Sequence, residues 1–344
     1  MDYRKVAKDI GAGKTLPVYL CYGPEKYLMQ QFIDYMTTKL IEPEHRDFAI
    51  SKFDLAETSI ETVIEDTETL PFMVPRKIVI AKNATFFTGA RDQSKVDHNL
   101  DKLTSYLKSP VDYSILVFIV DADKLDERKT IVKTMKAMDA ALPFLSLSPE
   151  GVQDWVLKGA AKEGFTFEPG ALDQLILSTG GNLQSLSAEI EKLSLYLGGS
   201  GVVTQELVDE LVVRSAEQNV FLLVEEVVRL RLERAFMLLE QLLKQKEEPI
   251  KIMMLIARQF RIMLQVKELS KQSYSQGQIA SQLGLHPFAV KVAEGQARNF
   301  EIGALSRIIG DIADLDYQMK TGGIDKVLGM EMFLLGLAQV QARG

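Results

Sequence analysis

Pro17-Val18-Tyr19-Leu20-Cys21-Tyr22-Gly23-Pro24-Glu25 is the stretch that decides the fold of the first part of this 344-residue chain. Its first six residues are almost continuously apolar, which is typical of a strand buried on both faces of a parallel sheet. The runs 77–81 and 114–120 share this pattern, and weaker β-rich runs lie at 48–53 and 142–147. Helical periodicity separates them, as at 25–40 and 59–69. This alternation predicts a doubly wound, parallel α/β domain that ends near Ser148.

The remainder of the chain is predicted to be helical, because the β signal disappears after Ser148. Four short helices are expected, separated by glycines, at 152–163, 169–178, 182–197 and 204–213. Longer helices are expected at 219–245, 249–269, 276–283, 287–299, 302–320 and 326–342. A polar joint at 215–218 separates the two groups. The sequence thus predicts three domains: an α/β domain at 1–148, a small helical domain at 149–214 and an all-helical domain at 215–344.

The composition excludes several classes of protein. Hydrophobic residues make up 47% and charged residues 25%, as in ordinary globular chains. Cys21 is the single cysteine, so neither an internal disulfide nor a multi-cysteine zinc site can form. The three histidines, His45, His98 and His286, have no companions at ligand spacing, and no metal site is predicted. No signal-like start and no apolar run of membrane length is present, which predicts a cytoplasmic protein.

The charge is distributed unevenly. The formal net charge is -7, which argues against a chain that grips DNA by itself, because phosphate binding needs a basic face. Residues 213–344 contain 17 Lys and Arg against 15 Asp and Glu, a net of +2, and the preceding residues carry a net of -9. This asymmetry permits nucleic acid near the C-terminal part of the chain.

The sequence lacks a complete phosphate-binding loop. Gly11-Ala12-Gly13-Lys14-Thr15 resembles the end of one, but Lys8 stands where the pattern needs glycine, and the stretch precedes the first strand instead of following it. After that strand comes Gly23-Pro24-Glu25-Lys26, in which the proline has no amide to donate and the glutamate would repel phosphate.

Other catalytic motifs are also missing from the sequence. Asp121-Ala122-Asp123 ends an apolar strand and is interpreted as solvated strand-end acids, because a magnesium ion there would have no phosphate loop to bridge to. The chain has no G-x-S-x-G elbow. We therefore predict neither a catalytic site nor a bound cofactor.

An unusually apolar turn is the remaining candidate for function. Thr69-Leu70-Pro71-Phe72-Met73-Val74-Pro75 places large apolar side chains between a polar helix and the strand from Lys77. The two prolines stiffen the backbone and oppose regular strand pairing. Two interpretations stay open: a loop that packs its apolar residues beneath the sheet, or an exposed apolar plug for a partner's pocket.

Taken in order, these residues resemble the delta subunit family of bacterial DNA polymerase III clamp loaders. The resemblance covers nearly the whole chain. It rests on the stretches 18–25 with Leu28, 70–73 before Arg76-Lys77, 120–126, 180–183 running into 189–193, 286–288, Ala297-Arg298 and 320–322. Each stretch is weakly specific, whereas their order and spacing together are fairly specific.

The resemblance implies an AAA+-like α/β domain without a nucleotide site, a small helical lid and, at 215–344, a C-terminal helical collar that assembles with the other loader subunits. It also implies that the apolar turn enters the beta sliding clamp through Leu70, Phe72 and Met73, so that the clamp opens for loading onto primed DNA. Active relatives carry arginine where this chain has Gln184. The implied partners are the clamp, the tau/gamma ATPase subunits, delta prime and, within the assembled complex, primer-template DNA.

Two alternatives remain at this point. A delta-prime-like scaffold subunit would usually carry a four-cysteine zinc module, which one cysteine cannot supply. A degenerate P-loop ATPase would need an irregular phosphate loop. Under the favoured interpretation the chain is a non-catalytic component of a DNA-directed DNA polymerase holoenzyme.

Overall fold

The predicted β runs lie side by side in one five-stranded sheet. The strands are β1 (Val18–Tyr22), β2 (Ile50–Asp54), β3 (Lys77–Lys82), β4 (Ser114–Val120) and β5 (Ala141–Pro143). Every pairing is parallel, and the order is β2-β3-β4-β1-β5. Leu20 pairs with Phe118 on one side and with Ala141 on the other. The first quoted stretch is therefore an interior strand, as its continuous apolar character predicted.

Helices connect these strands. They are α1 (Tyr3–Gly11), α2 (Lys26–Leu40), α3 (Arg46–Ala49), α4 (Ile60–Glu68), α5 (Leu100–Lys108) and α6 (Thr130–Ala137). One face of the sheet packs on α4, α5 and α6 through side chains such as Leu20, Val79 and Phe118. On β1 the alternate residue Tyr19 meets Phe32 of α2, with ring centroids 6.3 Å apart. Helices thus cover both faces, which confirms the doubly wound α/β prediction.

This computed structural model describes residues 2–90, 96–212, 216–285 and 287–342. The chain divides into two compact units, Met1–Ser146 and Leu147–Gly344. The boundary of the first unit falls two residues before the predicted one. The predicted division at 214/215 lies among residues 213–215, outside the described part of the chain, and the three-domain scheme stays a prediction.

The second unit is mostly helical. Its first elements are α7 (Pro149–Lys162), β6 (Phe165–Phe167), α8 (Ala171–Ser178), α9 (Leu183–Leu197), β7 (Gly201–Val203) and α10 (Gln205–Leu211). The later helices are α11 (Ala216–Val228), α12 (Leu232–Lys244), α13 (Pro249–Lys271), α14 (Gln276–Leu283), α15 (Pro287–Ala297), α16 (Ile302–Thr321) and α17 (Lys326–Ala342). As predicted, Ser148 caps the first helix, where its hydroxyl accepts the Gly151 amide.

Two expectations about the second unit are wrong. The β signal does not end at Ser148, because β6 and β7 form a short parallel pair in which Phe165 is opposite Gly201. The single helix expected at 219–245 is two helices. Leu230 adopts a left-handed backbone (φ 57°) between them. Because this position holds leucine instead of glycine, the sequence does not indicate such a break.

Candidate functional site

The loop after β1 is closed where a phosphate would have to sit. The Glu25 amide donates to the Phe144 carbonyl at 3.0 Å, and the Phe144 amide donates to the Tyr22 carbonyl at 2.7 Å. Gly23 has φ 134°, and a Cβ there would lie 2.2 Å from the Phe144 carbonyl oxygen. Partial burial raises the pKa of the Glu25 carboxyl. The Glu25 amide, which a phosphate-binding loop would offer to its ligand, is therefore already hydrogen-bonded to Phe144, the residue directly after β5.

Lys26 and Asp121 neutralise each other at the carboxyl edge of the sheet. Lys26 Nζ lies 2.6 Å from Asp121 Oδ2, and both side chains are exposed. They border a shallow depression of about 190 Å³ that also meets Lys82 and Asn83. Asp121, at the end of β4, therefore forms an exposed ion pair with Lys26, in agreement with its interpretation as a solvated acid.

The Gly11–Thr15 stretch lies at the end of α1, ahead of β1. Thr15 Oγ1 accepts a hydrogen bond from Arg76 Nη1 at 2.7 Å, and Lys14 is exposed. Because the stretch does not follow a strand and open a helix, it is not a phosphate loop. Its observed contact ties it instead to the segment that ends the apolar turn.

Gln184 occupies the first turn of α9 and is exposed, near the N-cap residue Asn182, whose side chain accepts a hydrogen bond from the Ser185 amide.

Among the described residues, one histidine does lie close to carboxylates: the possible ligand atoms of Glu42, Glu44 and His45 lie within 4.8 Å of one another. We assign it no ion, since exposed acidic groups of this kind are common. Cys21 is fully buried, and this burial raises the pKa of its thiol.

The apolar turn is exposed. Leu70, Phe72 and Met73 keep 72%, 72% and 78% of their surface in contact with solvent. The interpretation in which these side chains pack beneath the sheet is therefore wrong. Met73 also has a left-handed backbone, φ 56°, which is unfavourable for a residue with a side chain. An exposed cluster of three large apolar residues is a frequent mark of a partner-binding surface.

The base of this turn is held by polar contacts. Lys77, at the start of β3, is 6% exposed and its Nζ pairs with Asp66 Oδ1 of α4 at 2.9 Å. The Tyr113 hydroxyl donates to the Glu68 carbonyl at 2.8 Å, at the last residue of α4. Both ends of the turn are thus fixed to the sheet while its apolar tip projects. Sequence reasoning missed Lys77, although a lysine opening an apolar interior strand is a signal of a buried partner.

Replacing Lys77 with methionine is expected to lower the free energy of unfolding by roughly 3 kcal/mol. The change leaves the half-buried Asp66 carboxylate without its counter-charge, and urea denaturation would measure the loss. Lys82→Met is the matched control, because Lys82 ends the same strand and is exposed. The double variant Lys77→Met, Asp66→Leu should recover most of the stability. Equal effects for Lys77→Met and Lys82→Met would contradict the bracing role.

Among the described residues, no helix is both long and apolar enough to cross a membrane. The parallel sheet of order β2-β3-β4-β1-β5 and the mostly helical second unit define the class of fold, an α/β unit followed by a helical one. Comparison with known proteins narrows this class. The family described as DNA polymerase III, delta subunit, matches residues 19–142, and its C-terminal domain matches residues 217–337.

The chain belongs to the delta subunit family of DNA polymerase III. It is 41% identical to DNA polymerase III subunit delta of Bacillus subtilis over 332 residues, 96% of each chain. A probable DNA polymerase III subunit delta of Aquifex aeolicus is 24% identical over 242 residues, 70% of this chain and 67% of that protein. The solved Bacillus subtilis DNA clamp loader delta protein matches with a TM-score of 0.68 and 40% identity, covering 98% and 99% of the two chains.

Proposed function

We propose that this clamp loader subunit binds the beta sliding clamp through Leu70, Phe72 and Met73. The observation that carries the proposal is the exposure of all three side chains on a turn with a fixed base. Burying one large apolar side chain contributes roughly 1.5–3 kcal/mol. Two or three of them can together support micromolar binding after the costs of association.

Ring opening would need no covalent chemistry. A ligand shifts an equilibrium by its differential affinity, so the chain needs only to bind a strained or open clamp better than a closed one. Pro71 and Pro75 restrict the turn, and Met73 holds a backbone conformation that the chain must stabilise elsewhere. A preformed turn lowers the entropy lost on binding.

A pull-down of the full chain with purified clamp is the direct test of this function. We expect a stable complex formed without ATP, because the proposed anchor is already exposed. Failure to retain the clamp at micromolar concentrations would overturn the assignment.

We further propose that residues 215–344, the predicted collar within the second unit, join the chain to the tau/gamma ATPase subunits and delta prime. On α17, Leu328, Met332 and Leu335 are 50%, 56% and 45% exposed at spacings of four and three residues. The opposite face of the same helix is buried through Met330, Leu334 and Leu337. A helix apolar on both faces needs a second partner beyond its own core. The assembled complex would act on primer-template DNA in the cytoplasm.

The isolated chain is expected not to hydrolyse ATP. The Glu25 amide is hydrogen-bonded to the Phe144 carbonyl, Pro24 has no backbone N–H to donate, and Lys26 forms an ion pair with Asp121. Phosphate release should equal that of a mock-purified control at every ATP concentration. Turnover above that control, lost on replacing Lys14 or Lys26, would show instead a working nucleotide site.

A further inference from the structure

The helices α14 and α15 form a two-helix motif with the spacing of a DNA-binding helix-turn-helix. Three residues separate Leu283, the end of α14, from Pro287, the start of α15. Gly284 opens this interval with a left-handed backbone, φ 64°, and its amide donates to the Ala280 carbonyl. A short turn that begins with glycine is the usual connection in helix-turn-helix motifs.

The motif has a hydrophobic core separate from the larger core of the second unit. Val266 of α13 packs with Ile279 and Ala280 of α14 and with Val290 and Ala293 of α15. Further apolar residues from the same helices and the turn pack against this cluster: Ile262, Leu269, Leu283 and Leu285. The three helices therefore make one small module, and α15 also contacts α8 and, through Gln296 Nε2, the Phe221 carbonyl of α11.

Polar contacts fix α15 against its neighbours. Lys267 Nζ donates to the Ala297 carbonyl at 2.8 Å, and the buried Gln259 and Gln296 amides bond at 2.7 Å. Gln276 Nε2, in the first turn of α14, donates to Glu294 Oε2 at 2.7 Å. The acidic group of α15 is thus engaged inside the motif.

The outer side of α15 is open and basic. Lys291 and Gly295 are exposed on one face of α15, and the exposed Arg298 follows directly after the helix ends at Ala297. Glycine on this face leaves room for a close approach, and no atom lies within 4 Å of a Cβ built there. From 258 to 299 the sequence contains six Lys and Arg against two Glu, a net of +4 in a chain whose net charge is -7.

We infer that this module binds duplex DNA, with α15 as the helix that faces the nucleic acid and Lys291 and Arg298 as its phosphate contacts. A basic, open second helix on a helix-turn-helix fits the major groove of B-form DNA. The local positive charge complements the phosphate backbone, which supplies most non-specific affinity. The inference deepens the proposed function, on which it rests for its setting, by assigning DNA contacts to one surface of the chain.

The test uses the full chain, without clamp, and a fluorescein-labelled duplex of about 20 base pairs, two helical turns. Anisotropy titrations at about 50 mM salt and above give the affinity and its salt dependence. For the variant Lys291→Glu, Arg298→Glu we expect at least a tenfold loss of affinity. The slope of log K against log salt should fall by roughly 2, one unit for each phosphate contact removed.

The matched control is Lys8→Glu, Lys39→Glu, which changes the net charge equally at exposed lysines of the first unit. We expect this control to bind the duplex like the parent chain. Equal losses for both variants, no loss for either, or no duplex binding by the parent chain would overturn the inference. So would a preference for the matched single strand in competition. Since no clamp is present, the outcome is independent of whether the apolar turn binds the clamp.

Discussion

The double variant Leu70→Ser, Phe72→Ser is expected to lower the affinity for the sliding clamp by about two to four orders of magnitude. The two side chains are each 72% exposed in the free chain, so their apolar surface is available to be buried in a partner. Losing roughly 1.5–3 kcal/mol at each position amounts to 3–6 kcal/mol in all. Every 1.4 kcal/mol corresponds to a tenfold change in affinity, which gives the stated range.

The fold of this variant should survive. Surface substitutions away from packed or hydrogen-bonded features usually change stability by about 0.5 kcal/mol or less. Circular dichroism and urea denaturation should therefore match those of the parent chain. Had the turn packed beneath the sheet, the same changes would create buried polar groups and cost several kcal/mol.

Phe48→Ser, Leu145→Ser is a matched control for the loss of exposed apolar surface. It removes one phenylalanine and one leucine from the same unit, at positions that are 46% and 59% exposed. Isothermal titration calorimetry or surface plasmon resonance with purified clamp should find its affinity unchanged. A folded Leu70→Ser, Phe72→Ser protein that binds as tightly as this control would remove the turn from the interface.

The strands and most helices were predictable because burial leaves a direct pattern in the sequence. An interior strand such as β4 is apolar at consecutive positions, and its observed bounds equal the predicted ones. Short elements leave no such pattern. The three-residue strands β6 and β7 are too brief for a period of two to be visible, and the break at Leu230 depends on one left-handed residue.

The candidate site was predictable in composition but not in geometry. The pattern of prolines and large apolar residues singled out Leu70, Phe72 and Met73, but both a buried and an exposed turn were compatible with it. Exposure depends on which surfaces the rest of the unit has already covered. The bracing pair of Lys77 and Asp66 joins residues 11 positions apart through a helix, a turn and a strand, and local periodicity cannot reveal such a contact.

Cutting the chain between Ser146 and Leu147 is expected to separate its two proposed binding functions completely. The compact units end at this point, so each fragment keeps its own hydrophobic core, whereas removal of residues 215–344 would divide the second unit. Residues 1–146 should retain clamp binding and lose all co-purification with the ATPase subunits. Residues 147–344 should behave in the opposite way, as measured by affinity purification from reconstituted loader components.

The helix α17 makes this expectation specific. In the full chain, Met332→Ser, Leu335→Ser should weaken assembly while clamp binding stays unchanged, because the opposite face keeps Met330, Leu334 and Leu337 buried in the core. Leu195→Ser, Leu157→Ser is the matched control, with exposed leucines on other helices of the second unit. If residues 1–146 still co-purify with the ATPase subunits, the proposed assembly role of the second unit is wrong. If the α17 variant assembles like the control, the contact lies on another of its helices.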